Sequence, residues 1–182
     1  MLNIKCFVVN PIQENTYIVS DATKEAVIID CGAYFPSEKA EIEDFIREEG
    51  LNVKHLLLTH SHFDHTFGNS FVLETYHLKP EGYGEKEISF GEHRFQVIHT
   101  PGHAKDAVVF FCPEEKIAFT GDTVFQNSIG RTDLEGGNYH ELEASIALLK
   151  QIIPDDTKLY PGHGPSTTMG EEKLMNPFFE GQ

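Results

Sequence analysis

The 182-residue chain contains no tryptophan, only three cysteines and few basic side chains. Its 14 Lys and Arg residues are set against 29 Asp and Glu residues, so the formal net charge is −15 at pH 7. Proteins that bind nucleic acids or anionic membranes present basic surfaces, and this charge balance therefore argues against both partners. The cysteines are odd in number and scattered, which predicts reduced thiols in a cytoplasmic protein.

Long apolar segments are missing as well. The N-terminal segment has no basic start followed by an apolar run, so we expect neither a signal peptide nor a membrane span. A hydrophobic content of 40% is enough to build one core in a chain of this length. We therefore predict a single domain over residues 1–182.

Predicted strands and helices alternate in both halves of the chain. Segments rich in β-branched and aromatic residues predict strands at Ile4–Val9, Thr16–Ser20, Glu25–Ile29, His55–Thr59, Glu87–Phe90, Phe95–His99, Ala107–Phe111, Ile117–Thr120 and Lys158–Tyr160. Helices are predicted at Ser37–Glu49, Tyr139–Ile153 and Thr168–Met175, the first two from apolar residues spaced three and four apart. This alternation predicts an α/β fold with sheets covered by helices.

A dense cluster of polar side chains follows the predicted strand that ends at Thr59. His60, His62, Asp64 and His65 place three imidazoles and one carboxylate within six residues. Because alternate residues of an extended segment share a face, His60 and His62 are expected to point the same way. One segment cannot complete a catalytic zinc site, which takes about three protein ligands around an open position. Further ligands are therefore expected from elsewhere in the chain.

Three such residues each follow a predicted strand and lie beside a glycine. They are His103, Asp122 and His163. Taken one at a time, a histidine or a Gly-Asp pair is more often structural. Together with the first cluster, however, they predict a metal site on loops held by a rigid sheet. Seven ligand-type residues suit two metal ions that share one carboxylate.

The series T-H-x-H-x-D-H, P-G-H, G-D and G-H-G resembles that of the metallo-β-lactamase-fold hydrolase superfamily. The segments 15–17 and 29–32 are similar to that family too. The resemblance implies a four-layer αβ/βα sandwich of two mixed β-sheets flanked by helices. It also implies a set of metal ligands: His60, His62 and His103 for one ion, Asp64, His65 and His163 for the other, and Asp122 as the bridge. Asp30 would orient a ligand histidine. An equally weighted alternative is that Asp30 is only a turn residue that ends its strand.

Within this superfamily, residues 119–125 and 128–133 resemble glyoxalase II-type thioesterases. Residues 170–173 and 176–178 are similar to the small single-domain bacterial branch. The resemblance implies a dinuclear zinc hydrolase, with Fe or Mn as alternative metals, in which Asp64 and Asp122 act at the catalytic centre. Its substrate would be a small thioester, S-lactoylglutathione or a related hydroxyacyl thioester.

Arg131 has two interpretations. Its planar guanidinium could hold an anionic substrate, or it could form a structural salt bridge with Asp133. The loop Lys79–Gly84, with one proline and two glycines, predicts a mobile or irregular segment near the mouth of the site.

Other functions remain open at this point. A mononuclear iron persulfide dioxygenase shares the fold and would use His60, His103 and Asp122 as a facial triad. The retained Gly162-His163-Gly164 favours a complete second site and so a hydrolase. A hydrolase of another small ester or lactone, and a metal-binding protein without activity, are the remaining alternatives. The oligomeric state is left open.

Overall fold

Strands from the first half of the chain form a five-stranded mixed sheet in the computed structural model, which describes residues 1–180. These strands are β1 (Asn3–Val9), β2 (Glu14–Ser20), β3 (Glu25–Ile29), β4 (Asn52–Leu57) and β5 (Pro80–Glu81). The first three run antiparallel and the last two join parallel to β3, in the order β1-β2-β3-β4-β5. The connections include the helices α1 (Pro36–Glu48), α2 (Phe63–Thr66) and α3 (Asn69–Tyr76).

The second half of the chain forms a six-stranded mixed sheet. Its elements in chain order are β6 (Glu87–Phe90), β7 (His93–His99), β8 (Val108–Cys112), β9 (Ile117–Gly121), the separate hairpin β10 (Val124–Phe125) and β11 (Ser128–Ile129), α4 (Tyr139–Ile152), β12 (Lys158–Pro161), β13 (Thr167–Thr168), α5 (Met169–Met175) and a 3₁₀ turn (Pro177–Phe179). The sheet order is β13-β12-β9-β8-β7-β6. Only β9 and β12 pair in parallel, because α4 lies in the connection between them.

Buried side chains form three hydrophobic cores, because successive residues of a strand face opposite sides of its sheet. Val27 and Ile29 of β3 pack between the two sheets, while Ile28 faces the helices outside the first sheet. The core between the sheets also contains the buried rings of Phe95, Phe110 and Phe119. Each outer face of the pair is covered by helices, so the predicted four-layer αβ/βα sandwich is confirmed.

Each long helix covers its sheet with the apolar stripe that its sequence predicts. Ile42 and Ile46 of α1 are buried on the first sheet, and α4 buries Leu142, Ile146 and Leu149 on the second. Helix α4 begins at Asn138, whose side chain accepts a hydrogen bond from the backbone amide of Glu141. No helix among residues 1–180 is long and apolar enough to cross a membrane.

The predicted elements differ from the structure mainly in short segments. The strand expected at His55–Thr59 begins earlier and ends at Leu57, and α3 was not predicted. Helix α3 has only eight residues, with Val72 buried and Phe71 and Tyr76 partly buried beside it, and is too short to show a clear helical periodicity in sequence. The interpretation of Lys79–Gly84 as irregular is wrong in part, because Pro80 and Glu81 pair with Leu56 and Leu57.

Candidate metal centre

Four strands deliver the seven predicted ligands to one edge of the two sheets. The segment after β4 carries His60 and His62 and enters α2, which carries Asp64 and His65. The loops after β7, β9 and β12 carry His103, Asp122 and His163. These three strands run in the same direction within the second sheet, so their carboxyl ends lie together. A backbone hydrogen bond of 2.8 Å from Val108 to Thr59 joins the two sheets beside this edge.

One group of side chains brings three imidazoles together. The potential ligand atoms of His60, His62 and His103 all lie within 4.8 Å of one another. His62 Nδ1 is 3.0 Å from His103 Nε2, so two ring nitrogens face each other across a small gap. Asp122 Oδ2 lies 3.4 Å from His103 Nε2 and 3.9 Å from His60 Nε2. This group therefore has the nitrogen-rich donor set that zinc and iron prefer.

A second group lies on the other side of Asp122. Asp64, His65, Asp122 and His163 also have ligand atoms within 4.8 Å of one another. His163 Nε2 is 2.9 Å from Asp64 Oδ2 and 3.6 Å from Asp122 Oδ2. His65 Nε2 is 3.3 Å from Asp122 Oδ1. The two oxygens of Asp122 thus face both groups, which is the arrangement of a shared carboxylate.

Asp30 and Thr59 orient one histidine of each group. Asp30 accepts hydrogen bonds from the backbone amide of Thr59 (2.7 Å), from the Thr59 hydroxyl (2.6 Å) and from His65 Nδ1 (2.9 Å). Because that hydroxyl has one hydrogen, His60 Nδ1 is the donor in its 3.0 Å contact with Thr59 Oγ1. Both rings therefore present Nε2 to the centre. Outer partners of this kind set the tautomer of metal-bound histidines.

Backbone carbonyls orient two further histidines. His103 Nδ1 donates to the carbonyl oxygen of Arg131 at 2.7 Å, and His163 Nδ1 donates to that of Gln13 at 3.2 Å. Their Nε2 atoms consequently face inward too. The main chain of Arg131 thus contributes to the site in a way that its side chain does not reveal in sequence.

Several buried polar atoms in this cluster have no hydrogen-bond partner among the described residues. They include Nε2 of His60, Nε2 of His65 and Oδ1 of Asp122. Leaving a buried polar atom without a partner costs about 1–3 kcal/mol. Imidazole nitrogens and carboxylate oxygens are common metal ligands, and all three atoms point into the cluster. The residues present therefore fit metal ions.

Charge at the cluster is set by burial and by close neighbours. Burial lowers the pKa of His60 well below its usual range, and the nearby His65 lowers it further. Burial also lowers the pKa of His65, but the carboxylates of Asp30 and Asp122 more than offset this and hold it well above its usual range. Burial raises the pKa of Asp122, yet the surrounding imidazoles leave it below the usual value. Asp122 is therefore ionised and His60 neutral near pH 7.

Three residues that the sequence interpretation missed support the loops of the cluster. The Asn10 side-chain amide donates to the carbonyl oxygens of Gly32 (3.0 Å) and Asp64 (2.9 Å). Asn15 donates in the same way to Pro161 (3.0 Å) and Gly164 (2.9 Å), on either side of His163. Glu14 is fully buried beneath His65, with Oε1 3.6 Å from its Nδ1. Only Asn15 lies in a motif that the sequence marked.

A cavity of about 840 Å³ opens over the cluster. Its lining includes His62, Asp64, His103, Asp122 and His163, so these five side chains are accessible to a small molecule. Residues 79–84 do not line it, since Pro80 to Tyr83 border a separate small cavity with Leu58. The expectation that the 79–84 loop lies at the mouth of the site is therefore wrong.

Arg131 lies on the wall of the large cavity. Its Nε and Nη2 atoms donate to the two carboxylate oxygens of Asp133, both at 2.7 Å, and both side chains are exposed. Of the two interpretations raised by the sequence, this geometry favours the loop-holding salt bridge.

A four-layer αβ/βα sandwich with clustered His and Asp residues at one edge of its sheets defines the metallo-hydrolases of the metallo-β-lactamase fold. The sequence agrees with this class: the family model of the metallo-beta-lactamase superfamily matches residues 9–89 and 77–163. The chain belongs to this superfamily, as its motifs predicted.

The proteins that are similar to this chain carry names that point to different functions. Hydroxyacylglutathione hydrolase GloC of Haemophilus influenzae is 34% identical, over 97% of this chain and 98% of that protein. Crystal structures with the same fold include three that are 28% to 33% identical to this chain. BLEG-1 B3 metallo-beta-lactamase has a TM-score of 0.88 and 33% identity, covering 98% of this chain and 100% of that one. ETHE1 from Myxococcus xanthus has a TM-score of 0.85 and 28% identity, covering 96% of this chain and 83% of that one. TTHA1623 in a di-iron-bound form has a TM-score of 0.83 and 32% identity, covering 96% of this chain and 99% of that one.

Proposed function

We propose that this protein is a dinuclear metal-dependent hydrolase of small thioesters, S-lactoylglutathione or a related hydroxyacyl thioester. The observation that carries the proposal is the convergence of seven ligand-type side chains in two groups around Asp122, beneath an open cavity. The similarity to the Haemophilus influenzae hydroxyacylglutathione hydrolase supports the substrate class.

In this proposal each group of side chains holds one metal ion. The ligand sets are His60, His62 and His103 for the first ion, Asp64, His65 and His163 for the second, and Asp122 for both. When bound, the ions would supply a Lewis acid for the thioester carbonyl and a water molecule activated near neutral pH. We propose zinc, and the di-iron form of TTHA1623 makes iron the alternative that metal analysis must test.

The protein's own groups position the reactants. Burial raises the pKa of Asp64, but the hydrogen bond from His163 and the charge of His65 together outweigh it and leave the pKa below the usual value. Asp64 is therefore ionised, and because it lines the cavity it can accept a hydrogen bond from a water molecule beside the thioester carbonyl. The departing thiol needs no acid from the protein, because thiol pKa values lie near 8.5 and the thiolate leaves as an anion.

A second candidate function is favoured by one specific observation, the similarity to ETHE1 from Myxococcus xanthus. As a persulfide dioxygenase, the protein would hold one iron through His60, His103 and Asp122. The presence of His163 within 3.6 Å of Asp122 favours the hydrolase, because a single iron would leave it without a ligand role. A hydrolase of another small ester or lactone would use the same centre.

Metal analysis combined with a substrate panel separates these functions. The panel contains S-lactoylglutathione, a simple lactone, a β-lactam, a phosphodiester and glutathione persulfide, each supplied to protein loaded with zinc or with iron. Two ions per chain with hydrolysis of the thioester above all other substrates is the expected result. One iron per chain with oxygen consumption on the persulfide would overturn the proposal, and so would preferential hydrolysis of any other ester, lactone or lactam.

A further inference from the structure

Much of the lining of the cavity over the candidate metal centre is apolar and open to solvent. Five apolar side chains, which we call together the apolar wall, line it: Ile12, Phe63, Phe125, Ile129 and Leu134. Phe63 is 81% exposed, Ile12 59% and Leu134 41%. Exposed apolar side chains that cluster at a cavity indicate a ligand-binding surface, whereas single exposed ones are common on any protein.

The apolar wall adjoins the proposed ligands on several sides. Phe63 lies between His62 and Asp64 at the start of α2. The ring of Phe125 in β10 meets that of His163 edge-on, with centroids 6.1 Å apart. Ile12 lies in the turn between β1 and β2, next to the Gln13 carbonyl that orients His163. A substrate whose carbonyl lies at the metal centre would therefore contact this wall.

The cavity has little to attract an anionic group other than bound metal. Arg131 is the only Lys or Arg among the residues that line it, and its guanidinium is paired with Asp133 through two hydrogen bonds. Glu135 also lines the cavity, and the net charge of the chain is −15. The carboxylates of a glutathione conjugate would find no unpaired cationic side chain among these lining residues.

We propose that the apolar wall selects thioesters that carry an uncharged apolar group and disfavours thioesters of anionic thiols such as glutathione. This inference rests on the proposed thioester hydrolysis and, of the two substrates named there, favours a related hydroxyacyl thioester of an uncharged thiol over S-lactoylglutathione. Each methylene of the substrate that is removed from water against the wall is expected to raise kcat/KM by about two- to fourfold. An anionic thiol gains no compensating ion pair and meets a repulsive field.

Two series of thioesters test the inference on the metal-loaded protein. In the first, the acyl group is lactoyl and the thiol is glutathione, N-acetylcysteamine or benzyl mercaptan. In the second, the thiol is N-acetylcysteamine and the acyl group is acetyl, butanoyl or hexanoyl. We expect kcat/KM to rise at least tenfold toward the apolar end of one or both series. The glutathione ester should be the poorest of the first series.

Variants of the wall link this preference to its residues. Ile12→Ser and Leu134→Ser should each raise KM for the most apolar ester about three- to tenfold, and should raise KM for the acetyl ester by a smaller factor. Leu174→Ser is the matched control, because Leu174 is 84% exposed on α5 and does not line the cavity. Metal content and melting temperature are measured for every variant, and a wall variant that loses metal or unfolds is replaced by its Ala counterpart.

The outcomes distinguish the two proposals. Hydrolysis of none of the thioesters by fully metallated protein would overturn the proposed function and this inference together. Hydrolysis of all of them with kcat/KM flat within twofold, or with the glutathione ester preferred tenfold, would overturn the inference alone. A preference that Leu174→Ser alters as much as Ile12→Ser would also overturn it.

Discussion

Replacing Asp30 with Asn tests whether the outer hydrogen bonds of the candidate metal centre control metal affinity. Asp30 is buried and accepts three hydrogen bonds, two from Thr59 and one from His65 Nδ1. Its φ angle of 53° lies in the left-handed region, which Asn also tolerates. The substitution therefore changes the acceptor chemistry without straining the turn.

The expected magnitude follows from the atoms that change. Asn keeps one acceptor oxygen, but its NH₂ group replaces the oxygen that faces both the Thr59 hydroxyl and His65 Nδ1. A lost hydrogen bond to a charged group costs about 1.5–3 kcal/mol. Loss of an outer partner of a metal ligand typically lowers metal affinity 10–100-fold, or about 1.4–2.7 kcal/mol. The two ranges agree, so we expect a 10–100-fold increase in the zinc dissociation constant.

The assay is a zinc titration of the metal-free protein in competition with a chromophoric chelator. Thr59→Ser is the control, because it keeps the hydroxyl that links Asp30 to His60. Thr59→Val removes only this link and should weaken chiefly the group of His60, His62 and His103. An Asp30→Asn protein with the wild-type zinc affinity, within twofold, would refute the reasoning. Asp30 would then be only a strand-ending turn residue.

Three other perturbations have defined outcomes. Asp122→Ala should lower zinc binding in both groups of side chains and abolish thioester hydrolysis, because the shared carboxylate serves both ions. Two ions per chain by elemental analysis would contradict the shared carboxylate. Arg131→Ala should lower kcat/KM equally for neutral and anionic thioesters, because its guanidinium is already paired; a KM increase confined to anionic substrates would instead show that it binds them. Hydrogen bonds to Asp21 and Glu115 outweigh burial and raise the pKa of His93, so their stabilisation is complete below about pH 6.5 and falls as pH rises through the raised pKa. Hydrogen bonds from Thr23 and residues 92–93 outweigh burial and lower the pKa of Asp21, so its stabilisation is present above about pH 4. Between pH 5.5 and 8, the free energy of unfolding in urea should therefore change less for His93→Gln than for the wild type. Equal changes in the two proteins would contradict this assignment.

The sequence predicted the layered fold and the ligand positions for related reasons. Hydrophobic alternation marks which face of a strand is buried, and the polar residues that follow each strand must then lie at a sheet edge. His103, Asp122 and His163 were predicted in this way, and the structure brings them beside His60 and His65. Their role as ligands stays a prediction until metal content is measured.

The support around the ligands was not visible in the sequence, because it depends on contacts between distant segments or on main-chain atoms. Asn10 reaches the carbonyl of Asp64, 54 positions away. The carbonyls of Gln13 and Arg131 orient histidines irrespective of their own side chains. Glu14 gave no signal, because a single acidic residue at the start of a strand ordinarily faces solvent.

The bonds from Asn15 and Tyr17 to the loop of His163 have a consequence for the order in which the protein assembles. Asn15 and the Tyr17 hydroxyl both bond the carbonyl of Pro161, which joins β2 to a segment 146 positions later. The entropy of closing so long a loop opposes these bonds, and the packing of the two sheets against each other offsets it. The loop that carries His163 is therefore expected to reach its place only after both sheets have packed.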